Sequence, residues 1–406
     1  MRLGKKFPIF IWIVSPNEVK YIDELSFVVG GKPLSTKDRI IEAAIELFYE
    51  IPYGDVSLLQ ISKNAQVSNG IVYKYFKNKE ELFQHLLEII SERIENKLEN
   101  ILGETREEKL KSYIRLNVEI TQEEKKLIKI FREGQYKFIQ YEKRIKKAYL
   151  KKLEEIFQRK LNEFEMIYIL GSIRFINISY NSRGMKYDID FLVKIIFNGF
   201  TMDYIENLDE IYNANLYKRI ILNSDNFKHK FLEKGEKLFG LNEYHDVKIK
   251  EITEKLDCSI GLFYSFFESK DIFLIEIVEK LKKEILFLIK DNYNEEFNTN
   301  KLYIMYLYIF IEFYKSASYK YKLLRDVEFI NFDVYIDYLN KIEKLHIDIL
   351  GKNNFSTSEN RVVANLILGV QHYIGIEIFF TKEINDIDKL LKNMSLLFKN
   401  GIKKLD

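Results

Sequence analysis

"RIIEAAIELFYEIPYGDVSLLQISKNAQVSNGIVYKYFKNKEELF" (Arg39–Phe83) decides the fold, and its last third poses a contradiction. Lys74, Lys77 and Lys79 stand close together with no acidic residue until Glu80. Ile71, Val72, Tyr73, Tyr75 and Phe76, set among them, are apolar or aromatic. A solvated helix carries such lysines, and a packed helix carries such aromatics. A weaker copy, "SIGLFYSFFESKDIF" (Ser259–Phe273), recurs far downstream.

Caps and spacing divide the stretch into short helices. Ser35 or Thr36 caps a first helix whose buried face is Ile40, Ile41, Ala44, Ile45 and Phe48. Ile51–Ser57 reads as a turn, with Ser57 placed to cap a second helix around Leu58–Asn64. A third helix begins near Ser68 or Asn69, and Asn78 caps a long fourth with Glu81 as its box partner. A short helix, a tight turn and another short helix make a helix-turn-helix, whose later helix enters a major groove.

The rest of the chain is helical as well. Its four prolines, Pro8, Pro16, Pro33 and Pro52, leave everything after residue 52 free of that helix breaker. Ile145, Tyr149, Leu153, Ile156 and Phe157 line one face at three- and four-residue steps, as do Leu82, Leu86, Ile89 and Ile90. No sustained period-two alternation occurs, so the fold class is all-α.

Bulk numbers bound the function. The 406 residues suffice for two or more domains. A formal net charge of +2 names no partner, so a nucleic-acid argument must rest on local charge. The one cysteine, Cys258, excludes an intramolecular disulfide and suits a reducing cytoplasm. His85, His229, His245, His346 and His372 show no metal-ligand spacing, and neither a phosphate-cradling glycine loop nor a nucleophile elbow appears. The expectation is a cytoplasmic non-enzyme with no cofactor and no metal. The apolar run Phe7–Val14 is interrupted by Pro8 and falls short of the roughly 20 residues a membrane span needs. Residues 1–34 therefore read as an N-terminal extension, and no membrane partner is expected.

Internal repetition sets the architecture. At a constant offset of 191 residues, Leu47-Phe48 meets Leu238-Phe239, Tyr53 meets Tyr244, Asp55-Val56 meets Asp246-Val247 and Ile61 meets Ile252. Ser68, Gly70, Tyr73, Phe76 and Lys79 then meet Ser259, Gly261, Tyr264, Phe267 and Lys270 without a gap. Farther on, "LGSIRFINISY" (Leu170–Tyr180) echoes "LGVQHYIGIEIF" (Leu368–Phe379) at an offset of 198. The chain reads as a tandem duplication.

These residues resemble the DNA-binding domain of the TetR family of bacterial transcriptional regulators. The resemblance rests on A-x-x-L-F, the glycine turn and S-x-G-x-x-Y-x-x-F-x-x-K-x-x-L, strongly from Thr36 to about Ile90 and more loosely from Asn226 to about Leu281. It implies that Ser68, Asn69, Gly70 and Ile71 face base edges, while Tyr73, Lys79 and Ser57 contact phosphate. Lys74 adds local positive charge, and Val72 and Phe76 belong to the small core. In the second copy the matching candidates are Ser259, Gly261, Tyr264 and Lys270. There Lys248 replaces Ser57, Lys74 has become Ser265, and Lys228, Lys230 and Lys250 stand nearby as compensating charge.

The resemblance also implies an architecture of two TetR-like repeats. Residues 35–95 would form the first helix-turn-helix domain and 96–203 its helical ligand-binding and dimerisation domain. A linker at 204–224, a divergent second helix-turn-helix at 225–285 and a second helical domain at 286–406 would follow. Glu163–Tyr180 with Asp188–Met202, and Ser358–Phe380 with Ile387–Asn400, would close a four-helix bundle within one chain. The expected partners are double-stranded DNA, with an operator of unlike half-sites, and a small apolar effector. The chain would act as a monomeric pseudo-dimer, and repression is the family's usual mode. The competing reading is a helical interaction scaffold in which one or both modules no longer bind DNA.

Overall fold

A computed structural model describes residues 28–29, 32–216, 226–350 and 355–402. Of the expected N-terminal extension, only the end falls among these, with Val28–Val29 and Lys32–Pro33 paired antiparallel as β1 and β2. All other regular structure among the described residues is helical. The chain divides into two compact units: Met1–Ile51 with Val56–Leu86, and Pro52–Asp55 with Leu87–Asp406.

The smaller unit holds α1 (Thr36–Glu50), α2 (Leu58–Asn64), α3 (Asn69–Tyr75) and the first turns of α4 (Lys79–Leu98). Ser35 is the cap of α1, its hydroxyl accepting the Asp38 N–H at 3.2 Å. Asn78 Oδ1 accepts the Glu81 N–H at 2.8 Å, while the Glu81 carboxylate turns back to the N–H of Lys77 at 2.6 Å. Ile40, Ala44, Phe48, Ile61, Val72, Phe76 and Phe83 form the core, with the Phe48 and Phe83 rings edge-on at 4.9 Å. Ile41 stays half-buried, whereas Ala43 and Leu47 are buried, so the inner face of α1 is rotated slightly from the expected one.

The larger unit runs through α5 (Arg106–Glu123), α6 (Lys125–Gly134), α7 (Ile139–Phe157), α8 (Glu163–Arg183), α9 (Ile189–Asn198) and the short α10 (Asp209–Tyr212). It continues through α11 (Phe227–Leu241), α12 (Ile249–Glu254), α13 (Ile260–Tyr264) and α14 (Lys270–Asp291). It ends with α15 (Thr299–Lys315), α16 (Ser318–Ile330), α17 (Phe332–Leu350), α18 (Thr357–Phe379) and α19 (Ile387–Asn400).

At its centre α8 packs along α18, and both helices are buried on nearly every face. That burial explains why α18 is apolar and long enough to cross a membrane yet belongs to a protein core. The two helices touch backbone to backbone at Gly171 and Gly369: a Cβ added at Gly171 would lie 2.9 Å from the Gly369 carbonyl oxygen. α19 packs against α8 and α9. Beyond α9 and α19 the backbones exchange hydrogen bonds, Phe200 N–H to Phe398 O at 2.7 Å and Ile402 N–H to Ile196 O at 3.0 Å. Gly199 (φ +72°) and Gly401 (φ +59°) make that reciprocal approach, each against the other segment's backbone.

Two expectations meet a different geometry. The stretch assigned to a linker is packed as far as it is described: Ile205, Leu208 and Ile211 are buried, and the Ile205 N–H donates to Ser395 Oγ at 2.7 Å. Residues 217–224, the remainder of that linker, lie outside the described residues, as does residue 225. The second helix-turn-helix is built into the larger unit, because α11 lies on α16. Lys280 bridges Glu236 (2.6 Å) and Glu284 (3.1 Å), and Lys320 bridges the same two carboxylates at 3.2 and 3.4 Å. These four side chains tie α11, α14 and α16 together, and their charges cancel inside the fold.

Candidate nucleic-acid interface

In the smaller unit, Ser57 Oγ accepts the Gln60 N–H at 3.3 Å, and Gln60 Oε1 accepts the Ser57 N–H at 2.7 Å. This reciprocal box fixes the start of α2 and leaves Ser57 exposed. Between α2 and α3 the chain reverses through Gln66, whose φ of 53° is left-handed, and the Val67 N–H closes the turn on Ser62 O at 3.0 Å. Asp257 (φ 49°) occupies the same place between α12 and α13, where the Cys258 N–H bonds Thr253 O at 3.1 Å.

That turn sets how α3 is presented. Val72 and Phe76 face inward, while Ser68, Gly70, Tyr73 and Lys74 are exposed. Asn69 and Ile71 are half-buried, and Asn69 Oδ1 is withdrawn from solvent, so Asn69 presents less of its amide outward than its position suggested. Lys79 is half-buried. Ser68 stands at the N-cap of α3 without a side-chain capping bond, which leaves its hydroxyl available. A Cβ added at Gly70 would meet nothing within 4 Å. A glycine inside a helix costs roughly 0.5–1 kcal/mol against alanine, and no packing among the described residues demands this one.

Sequence reasoning gave no site role to Leu59, Lys63, Tyr75 or Lys77, all exposed on this unit. Leu59 was detectable, since it is apolar but off the Leu58–Ile61–Ala65 stripe that α2 buries. Lys63, Lys74 and Lys77 pair with no carboxylate among the described residues.

The second helix-turn-helix keeps the shape and alters the charges. Tyr264 is 52% exposed against 53% for Tyr73, so the two tyrosines are presented equally. Gly261 is again open, with only Ser259 Oγ near an added Cβ, at 3.7 Å. Ser259, however, spends its hydroxyl on the Leu262 N–H at 3.1 Å. Lys248 is exposed at the N-cap of α12 and makes no capping bond. Lys270 is not where a phosphate contact needs it. Its ammonium donates to the Tyr244 carbonyl and sits 4.2 Å from the Tyr244 ring centre, and burial lowers its pKa. The expected compensating lysines are themselves occupied: Lys228 pairs with Glu276 (2.6 Å), Lys250 with Glu254 (3.6 Å), and Lys230 lies over the Phe227 ring (5.5 Å).

Two small cavities lie within the helical body among the described residues. One, about 60 Å³, is lined by α4 to α8 with His372 and Tyr373 of α18; the other, about 70 Å³, is lined by α14 to α18 with Phe175 of α8. Each admits a few waters, and a drug-sized ligand, which needs some 300 Å³ or more, would have to part the helices. Arg174 reaches the first cavity already paired with buried Glu142 at 2.9 Å.

Two buried histidines lie beside the second cavity. Burial pushes His346 down to about 4 and, with Arg325, Arg132 and Arg174 adding to it, holds His372 well below the usual imidazole value. Both stay neutral in the fold and protonate in the unfolded chain, so their contribution is complete above about pH 6.5 and is lost as pH falls. Glu133, raised to about 7 chiefly by burial, acts in the opposite direction, its penalty easing as pH drops below 7. The contrast between variants isolates the histidines. From pH 7.5 to 5.0 in urea unfolding, the wild type is expected to lose about 2 kcal/mol per histidine more than a His346→Gln/His372→Gln double variant.

Comparison with known proteins agrees with the geometry of the first helix-turn-helix. Residues 40–86 match the family described as bacterial regulatory proteins, tetR family, so this unit carries that family's N-terminal domain. The chain is 36% identical over 81 residues to the "Probable HTH-type transcriptional regulator YttP" of Bacillus subtilis (strain 168), covering 19% of this chain and 39% of that protein. It is 28% identical over 98 residues to the HTH-type transcriptional regulator BetI of Pectobacterium atrosepticum, covering 23% of this chain and 50% of that protein. The chain thus spans half or less of the length of these relatives. Among solved structures, a transcriptional regulator (TerR/AcrR family) from Aquifex aeolicus VF5 aligns with 42% of this chain and 96% of its own, at 21% identity and a TM-score of 0.36.

Proposed function

We propose, from the premise that residues 40–86 form a tetR-type N-terminal domain, that this chain is a sequence-specific DNA-binding transcriptional regulator. The observation that carries the reading is the outer face of α3, where Ser68, Gly70, Tyr73 and Lys74 are exposed on a packed three-helix core. The first turn reads base edges through Ser68 and Gly70, with Asn69 and Ile71 beside them. Ser57, Tyr73, Lys74 and Lys79 hold phosphates, which gives affinity that falls steeply with salt. No catalytic step is part of this function.

The reading extends to a pseudo-dimer within one chain, made by a tandem duplication. Its support is the reciprocal backbone exchange of Phe200 with Phe398 and Ile402 with Ile196, together with the glycine crossing of α8 and α18. A two-headed chain binds an operator of unlike half-sites, whereas a homodimer requires a palindrome. The chain acts as a cytoplasmic repressor, released when an effector fills the helical body and shifts the population of head arrangements.

A second reading is favoured by the altered charges around α13. With Lys270 turned inward and Lys228 and Lys250 paired, the second head serves as a scaffold for the first. DNA selection and sequencing on the intact chain, Tyr73→Ala and Tyr264→Ala separates the two. Unlike half-sites, each lost with its own tyrosine, are expected for two working heads. Selection unchanged by Tyr264→Ala would assign the second head to the scaffold, and no salt-dependent binding by the intact chain would sink the regulator reading.

A further inference from the structure

Where α6 meets α16, two arginines stand in equivalent settings with unequal partners. Arg132 is followed three residues on by Gln135, and Arg325 three residues on by Glu328. Across the contact, Glu328 accepts from Arg132 Nη2 with both oxygens, at 2.5 and 2.7 Å. The reciprocal position offers Arg325 only the neutral Gln135, whose Oε1 faces Arg174 at 3.5 Å. Arg325 is 7% exposed and has no carboxylate partner among the described residues. Its guanidinium lies 3.7 Å from the Tyr136 ring centre, and among the described residues its one hydrogen bond is to the Arg132 carbonyl at a long 3.4 Å. The adjacent Asp326 is taken by Lys322 at 2.5 Å.

An enclosed guanidinium without a counter-ion is costly to the fold, and Arg325 is part of the wall of the second cavity. Two other polar groups of that wall already have partners, while the Tyr314 hydroxyl is buried without one among the described residues. Gln371 lies 3.3 Å from His346, and the Tyr321 hydroxyl donates to the His372 carbonyl at 2.8 Å. The remaining lining is apolar and aromatic, with Phe175, Tyr306, Phe310, Tyr335 and Leu339 among it. In the first cavity the arginine charge is already cancelled by Glu142.

We propose that the second cavity, widened by parting of its helices, binds an organic carboxylate, with its apolar body against the aromatic wall and its carboxylate on Arg325. The inference rests on the effector reading above and sharpens it: the ligand is an anion with an apolar body, and one site per chain selects it. A planar guanidinium fork suits a carboxylate bidentately, which a neutral amide cannot match.

Calorimetric titration of the full chain without DNA tests this with matched acid and amide probes: 2-naphthoate with 2-naphthamide, and decanoate with decanamide. At least one acid is expected to bind once per chain and at least about tenfold tighter than its amide, the range of a hydrogen bond to a charged group. Arg325→Met should erase that preference, and Arg325→Lys should retain part of it, both with unchanged circular dichroism. Equal affinity for acid and amide, a preference that survives Arg325→Met, or no binding by either acid would overturn the proposal. Because no DNA is present, its failure is distinct from failure of the operator selection.

Discussion

Gly369→Val is expected to prevent stable folding of the larger unit, with a loss of more than about 4 kcal/mol, beyond the usual range for single substitutions. A Cβ at Gly369 would overlap the Gly171 carbonyl oxygen and lie 2.7 Å from Phe175 Cβ. The obstacle is backbone on a helix that is itself buried, so no side chain can rotate away. Restoring contact would require α8 and α18 to separate along a face holding Ile173, Ile176, Leu366 and Val370, all nearly inaccessible to solvent. The check is thermal and urea unfolding of purified protein, with Gly261→Ala as a control because its added Cβ has open space. A Gly369→Val protein melting with the wild type would refute this account of the crossing.

Glu343→Ala is expected to cost about 3–5 kcal/mol, the range for removing one member of a buried ion pair. Glu343 on α17 takes Arg183 of α8 on one oxygen and Arg361 of α18 on the other, the latter at 2.7 Å. Arg183 also donates to Ser179 Oγ at 2.6 Å and to Asn365, so three helices meet in one hydrogen-bonded cluster. Truncating Glu343 leaves the Arg183 guanidinium, 4% exposed, without its counter-ion. An Arg183→Met/Glu343→Leu double variant removes both charges and is expected to recover most of the loss. If the double variant were as unstable as the sum of the singles, the pair would not be coupled as its geometry requires.

The helix-turn-helix was legible because its signals are local. Ser57 and Asn78 announce helix starts through partners three residues away, and Val72 and Phe76 fall on the inner side by helical spacing alone. Open glycines on α3 and α13 were also readable as a pattern, although only geometry shows that no neighbour requires them. Lys270 illustrates the limit. Its position in the motif suggests an outward phosphate contact, but the carbonyl and ring of Tyr244 draw its ammonium inward. Two of the lysines expected to compensate for the charge lost around α13 are neutralised by Glu276 and Glu254, one in a different helix and one a turn away.

The amino-acid sequence by itself determined the helices, their caps, the first helix-turn-helix and the echo of that unit 191 residues on. Those features follow from spacing within a few residues, which the chain carries wherever it folds. Only the tertiary structure decided that α8 and α18 meet at two glycines, that the second helix-turn-helix is built into the larger unit, and that, among the described residues, Arg132 receives a carboxylate while Arg325 does not. Each of those outcomes depends on which distant groups share a low-dielectric contact, where one missing counter-charge matters far more than it would in water.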